Sequence, residues 1–394
     1  MNLLNRNNNI SILIAGIIAV IIGLGVTRFA FTSLLPPMLE GFLSVSFAGI
    51  LASFNYIGYL SGSIFSMFIK DINKKVIFFR IGIILSLVTT LILGITENET
   101  IWFIARVIAG ISGALAFVVG SAIVMSKLNF KNKTKAMGIH FSGIGFSIFV
   151  TDIIGRVVQN SGGDWKDSWI ILTIFTTILA LYSMYILSFD KKIEVKKTSI
   201  KFDKSLFTPF TLIIILSYFT MGIGFVVQAT FLPDIINSIK GVEGYGGMTW
   251  TIVGLAGIPS CIIWMSLASK YGSVNIIIIT MSLLAISILI PTFTSNIYLN
   301  LLSGLLYGGT FIALVGLYMN LGGKLSGESP VILMGAFTIA NGIGQVIAPL
   351  YSVYFIENFS SYNYALYLTS FVVFCGILLL FFSKIIMTEE QKMI

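Results

Sequence analysis

The chain has 394 residues, of which 56% are hydrophobic and only 10% charged, with a mean hydropathy of +0.97. About a quarter of the residues in a soluble globule are charged, so this composition excludes a water-soluble fold and predicts a polytopic membrane protein. The net charge of +8 raises nucleic-acid binding as a class, but the basic residues cluster in short stretches between apolar runs, where they are a topology signal.

Apolar runs of about 20 residues, bounded by charged or Gly/Pro/Asn clusters, number twelve. They centre near residues 23, 57, 86, 112, 146, 177, 220, 258, 284, 308, 343 and 374. The first run is too long for a signal peptide and lacks a small-residue cleavage site. Of the 24 Lys and Arg, 19 fall on one side, two (Lys166 and Lys240) on the other, and three (Arg28, Arg106 and Arg156) within spans. That bias makes the richer side cytoplasmic, with both termini inside and the inner membrane as the location. The lysine-rich stretch 188–205 reads as a cytoplasmic linker between a first half, 1–187, and a second, 206–394.

Span one carries Arg28 as its only charge between Ile10 and Leu35, roughly 27 Å along a helix at ~1.5 Å per residue. An arginine at bilayer centre costs about 2.5–3.5 kcal/mol even on lenient scales, so Arg28 is a functional-site hypothesis. Span two has Ala48, Ala52, Asn55, Tyr59, Gly62 and Ser66 on one helical face. Two readings stay open for that stripe: a packing seam, or a ligand-facing surface through Asn55 and Tyr59. In span four Arg106 aligns with Gly110, Gly113, Phe117 and Gly120. It is either structural, bonding backbone carbonyls or snorkelling, or functional.

Span five holds Asp152, the one carboxylate well inside the membrane. Its partner is either Arg156, four residues on, or Arg28 of span one. The latter pairing suits a proton-coupling site, because a substrate that displaces the arginine shifts the carboxylate's affinity for a proton. His140 on the same helix, with Ser147 and Thr151 on its stripe, either fills a polar niche or relays protons. One histidine makes no metal site. Cys261 and Cys375 lie in apolar runs and read as packing residues. The second half has neutral candidates only: Gln228, Tyr307, Asn341 and Gln345, the last of which equally reads as marking a bend with Pro349.

The halves repeat. LeuPro at 35–36 returns at 232–233, GlyLeuGly at 23–25 as GlyIleGly at 222–224, GlyIleGly at 143–145 at 342–344, and MetGly at 137–138 at 334–335. Four matches in one order at near-constant offset point to a six-plus-six duplication, the copies parallel about an axis along the membrane normal.

LeuAlaSerLysTyrGlySer (267–273) and ArgValIleAlaGlyIleSerGlyAla (106–114) resemble loop and span-four motifs of the major facilitator superfamily. Asp71, Lys74, Lys270 and Gly272 are then implied as gating-loop residues. Gly143–Ser147 lacks the proline of the antiporter motif. ThrArgPheAlaPheThrSerLeuLeuPro (27–36), the stretch 48–62, TyrGlyGlyThrPhe (307–311) and GlyIleGlyGln (342–345) are similar to the bacterial YbfB/YjiJ subgroup. The resemblance implies an all-α fold of two pseudo-symmetric six-helix bundles around a central cavity, lined by spans one, four, seven and ten.

The surplus of positive charge within the spans makes an organic anion the economical substrate, since the arginine fork matches a carboxylate. The chain therefore reads as a secondary transporter working by alternating access with proton symport, and not as an enzyme. No nucleotide-binding loop, metal or other cofactor is expected, and the protein reads as a monomer whose partners are substrate, protons and bilayer. Export of metabolites or drugs by proton antiport, and a non-transporting receptor-like protein, are the alternatives.

Overall fold

The computed structural model describes residues 4–128, 133–188, 206–326 and 330–388. Two compact units compose the chain, Met1–Lys197 and Thr198–Ile394. Apart from Ser188, the linker expected at 188–205 lies outside the described residues, as do residues 129–132 of the lysine-rich loop after span four.

Twelve long helices run through the described residues. In the first unit they are α1 (Asn9–Gly41), α2 (Val45–Met67), α3 (Ile72–Ile95), α4 (Glu99–Lys127), α5 (Lys133–Asn160) and α6 (Trp165–Ile186). In the second they are α7 (Pro209–Asn237), α8 (Gly246–Tyr271), α9 (Ser273–Phe293), α10 (Ile297–Leu325), α11 (Pro330–Phe359) and α12 (Asn363–Ile386). Each expected centre falls inside one helix, so the all-α expectation holds. Eleven are long and apolar enough to cross a membrane. The exception is α2, 23 residues long, whose serines, glycines, asparagine and tyrosines lower its hydropathy. It is held instead by its neighbours, and the chain is a multi-pass membrane protein.

The helix starts are written locally. Asn8, Ser44, Asn98, Thr208 and Asn296 cap α1, α2, α4, α7 and α10, each side-chain oxygen accepting an otherwise orphaned backbone N–H. Asp71 does the same for α3, accepting from Asn73 N at 2.8 Å. Gly272 closes α8 at φ 89° and donates its N–H to Ala268 O at 3.0 Å. An L side chain there would be strained, so glycine lets α9 start at the next residue.

Small residues set the helix spacing. A Cβ on Gly110 of α4 would lie 2.7 Å from Tyr59 N, and one on Gly62 of α2 2.7 Å from Ile111 O. The α2–α4 pair is therefore a seam of close backbone approach. α8 and α10 repeat it in the second unit, where a Cβ on Gly304 would lie 2.9 Å from Thr249 O. Gly110→Leu is expected to cost about 1–3 kcal/mol through overpacking. Gly309→Leu in α10, where nothing lies within 4 Å of the added Cβ, is expected to be neutral. Thermal melting of the two purified variants in one detergent checks the contrast.

Candidate functional site

α1 is not α-helical throughout. Its central turns, Ile21–Phe29, are π-helical, with Ala30 N–H bonded to Gly25 O, five residues back. α4 has a shorter π-helical stretch, Leu115–Val119, in contact with the first. Such segments are rare and concentrate at functional sites. Arg28 sits in the α1 stretch, 8% exposed.

The widened turn is clamped from two neighbouring helices through one carbonyl. Thr27 O accepts Arg106 Nη1 at 2.8 Å and Asn55 Nδ2 at 3.3 Å. The Asn55 amide also donates to Arg106 O at 2.9 Å, and Thr27 Oγ1 donates to Gly23 O at 2.7 Å. Close approach makes this possible, since a Cβ on Gly113 of α4 would lie 2.5 Å from Gly23 O. Thus α1, α2 and α4 meet one residue before Arg28.

Arg106 is buried, with its guanidinium 4.3 Å from the Phe31 ring. Of the open readings, bonding to a backbone carbonyl is what it does, yet its Nε has no hydrogen-bond partner among the described residues. Arg28 lies with its guanidinium carbon 4.2 Å from the Tyr56 ring centroid, 5.6 Å from Phe29 and 5.7 Å from Tyr59. These distances fall within the cation–π range of about 6 Å. Of the span-two stripe, Gly62 packs against α4, Asn55 ties backbone to backbone, and Tyr59 lies 5.7 Å from the Arg28 guanidinium. Sequence reasoning missed Tyr56, which lies off that stripe.

α5 faces the same part of α1. A Cβ on Gly25 would lie 2.9 Å from Ser147 Cβ and 3.3 Å from Thr151 Cγ2. Asp152 is wholly buried and accepts the Ser33 hydroxyl at 2.7 Å. Ser33 lies five residues past Arg28, so the carboxylate packs against the helix that carries the arginine. Arg156 is partly buried one turn further along α5.

His140 is also buried on the α1-facing side. Its Nε2 bonds Ser121 Oγ at 2.8 Å, and a Cβ on Gly16 would lie 2.8 Å from Nδ1, which has no hydrogen-bond partner among the described residues. Phe117 stacks on the ring at 6.5 Å. The ring is thus packed in a polar niche.

Of the neutral candidates of the second unit, Gln228, Tyr307 and Asn341 bond between helices, and Gln345 bonds Asn341 within α11. Gln228 donates to Ser287 O at 3.1 Å and Ser303 Oγ at 3.4 Å, and accepts from Ser287 Oγ at 3.3 Å. Tyr307 donates to Phe225 O at 2.7 Å. Asn341 donates to Tyr218 O at 3.1 Å and accepts from Gln345 Nε2 at 2.5 Å. These bonds join α7 to α9, α10 and α11. Asp234, near the end of α7, accepts the Tyr362 hydroxyl, a pairing that sequence reasoning did not anticipate.

The residues expected at the gates are exposed or capping. Lys74 is exposed, Lys270 lies 5.1 Å from the Tyr271 ring in the last turn of α8, and Asp71 and Gly272 close helix ends. Cys261 and Cys375 are both free thiols. No group of three His, Cys, Asp or Glu side chains suited to a metal occurs among the described residues.

Comparison with known proteins adds two findings. Residues 20–381 match a family described as uncharacterised MFS-type transporter YbfB. Among solved structures, the chain is similar to a crystal structure of a variant of the nucleoside transporter NupG. The TM-score is 0.75 at 13% identity, covering 98% of this chain and 100% of that chain. At that identity the likeness is one of fold alone.

Proposed function

The chain belongs to the family of MFS-type transporters described as YbfB, and on that premise we propose that it carries a small organic anion across the inner membrane together with a proton. Arg28 binds the anion, Asp152 takes the proton, and the termini face the cytoplasm. The observation that carries this reading is Arg28 buried in a π-helical turn of α1 beside tyrosine rings.

Charge supports the coupling. The buried side chains of the first unit include two arginines, Arg28 and Arg106, and one carboxylate, Asp152. With the carboxylate ionised their sum is one positive charge, and adding an anion and a proton leaves that sum unchanged. A carrier that crosses the membrane with the same charge loaded and empty avoids a different electrostatic barrier on each leg. A bound carboxylate also gains charge-assisted hydrogen bonds from the guanidinium fork.

Thermal melting of the purified wild type against equal concentrations of acetate, lactate, benzoate and matched organic ammonium ions tests the reading. A ligand at about 100 times its Kd adds about 2.7 kcal/mol to stability. At least one acid is expected to raise the melting temperature with no ammonium ion doing so. Stabilisation by the ammonium ions alone, or by none of the compounds, overturns the anion assignment.

A further inference from the structure

Resting on the anion reading above, we propose that Tyr56 is a positioning residue: the face of its ring holds the Arg28 guanidinium and thereby orients the arginine for a carboxylate. The geometry singles Tyr56 out, because its ring lies 4.2 Å from the guanidinium carbon while Phe29 and Tyr59 stand at 5.6 and 5.7 Å. Both partners are withdrawn from solvent, Tyr56 at 4% and Arg28 at 8% exposure. Cation–π attraction strengthens with such desolvation.

The face matters. The attraction of a guanidinium to a ring face comes from the ring's quadrupole, so it restrains the arginine without accepting any of its five N–H donors or cancelling its charge. The ring is well anchored too, since Asn55, the preceding residue, ties α2 to Thr27 O and Arg106 O. Consecutive residues of α2 therefore hold the backbone before Arg28 and the side chain of Arg28 itself. The α2–α4 glycine seam fixes their height.

A packing role alone requires only apolar bulk, whereas the proposed role requires an aromatic face. Full-length wild type, Tyr56→Phe, Tyr56→Leu and Tyr56→Met are treated with phenylglyoxal, and adduct formation at Arg28 is followed by peptide mass spectrometry. The Arg106 peptide serves as reference. Tyr56→Phe is expected within about twofold of wild type. The two ring-free variants are expected to react about five- to thirtyfold faster at Arg28, corresponding to a cation–π contact of about 1–2 kcal/mol, and Tyr56→Met covers the case in which Tyr56→Leu does not fold.

The same variants are then titrated with whichever of acetate, lactate and benzoate stabilises the wild type most. Kd is expected unchanged for Tyr56→Phe and about tenfold weaker for Tyr56→Leu. Equal phenylglyoxal rates in wild type and both ring-free variants overturn the proposal, and so does a Phe variant as reactive as the Leu variant. If none of the three acids binds wild type, the anion reading falls, while the modification rates still decide whether the Tyr56 ring holds Arg28.

Discussion

Arg28→Ala is expected to weaken binding of the organic acid by at least about 2 kcal/mol, roughly 30-fold, and to abolish measurable binding where the wild-type Kd is already weak. Truncation removes the fork that a carboxylate engages bidentately. It also removes one of the two positive charges that the buried side chains of the first unit hold against Asp152. Folding is expected to persist, because a buried arginine is a cost to the helix that contains it, while the α1–α2–α4 clamp runs through the Thr27 carbonyl and not through the Arg28 side chain. Arg28→Lys keeps the charge and loses the fork, so it is expected to fall between wild type and Arg28→Ala. Isothermal titration, with unliganded melting as the folding control, measures both quantities. Equal affinity in wild type and Arg28→Ala removes Arg28 from the site.

Asp152→Asn is the second large effect, and its signature is a split. The amide keeps the size of the carboxyl and a carbonyl oxygen to accept the Ser33 hydroxyl, which in the wild type is bonded at 2.7 Å. It cannot take up or release a proton. Binding of the acid is therefore expected within about threefold of wild type, because removing a negative charge near an anion site does not oppose the anion. Accumulation against a gradient is expected to disappear, leaving exchange of labelled for unlabelled acid intact. Loss of binding and accumulation together would make Asp152 a structural or substrate residue instead.

The sequence disclosed the scaffold more fully than the site. Twelve apolar runs and the LeuPro, GlyXGly and MetGly repeats carry the helix count and the duplication, because lipid demands long helices and the repeats recur at one offset. Gly272 was visible as a loop glycine, and its left-handed backbone explains it. Arg28, Arg106 and Asp152 stood out because ionisable groups in apolar runs are rare. What surrounds them did not stand out. No residue pattern in GlyLeuGlyValThrArgPhe announces a π-helical turn, and the Thr27 carbonyl that joins three helices is a backbone atom without a sequence signature. Tyr56 and Ser33 were hidden for a different reason: a helical face drawn by period selects neighbours along one helix, whereas these two are defined by the helix opposite. Gln228, Tyr307 and Asn341 are binding candidates in the sequence because they are polar in apolar runs, and the structure adds their hydrogen bonds to α9, α7 and Tyr218, by which polar groups join membrane helices.

The most direct measurement is uptake of the best-binding acid into proteoliposomes that contain only this protein, with the outside made about one pH unit more acidic and the membrane potential clamped at zero. One proton per monovalent anion predicts a steady-state accumulation of about tenfold, since one pH unit is worth about 1.4 kcal/mol. The same vesicles carrying Asp152→Asn should equilibrate the acid and stop there. Accumulation in the variant equal to that in wild type, or no protein-dependent uptake of any acid that binds, would contradict the account.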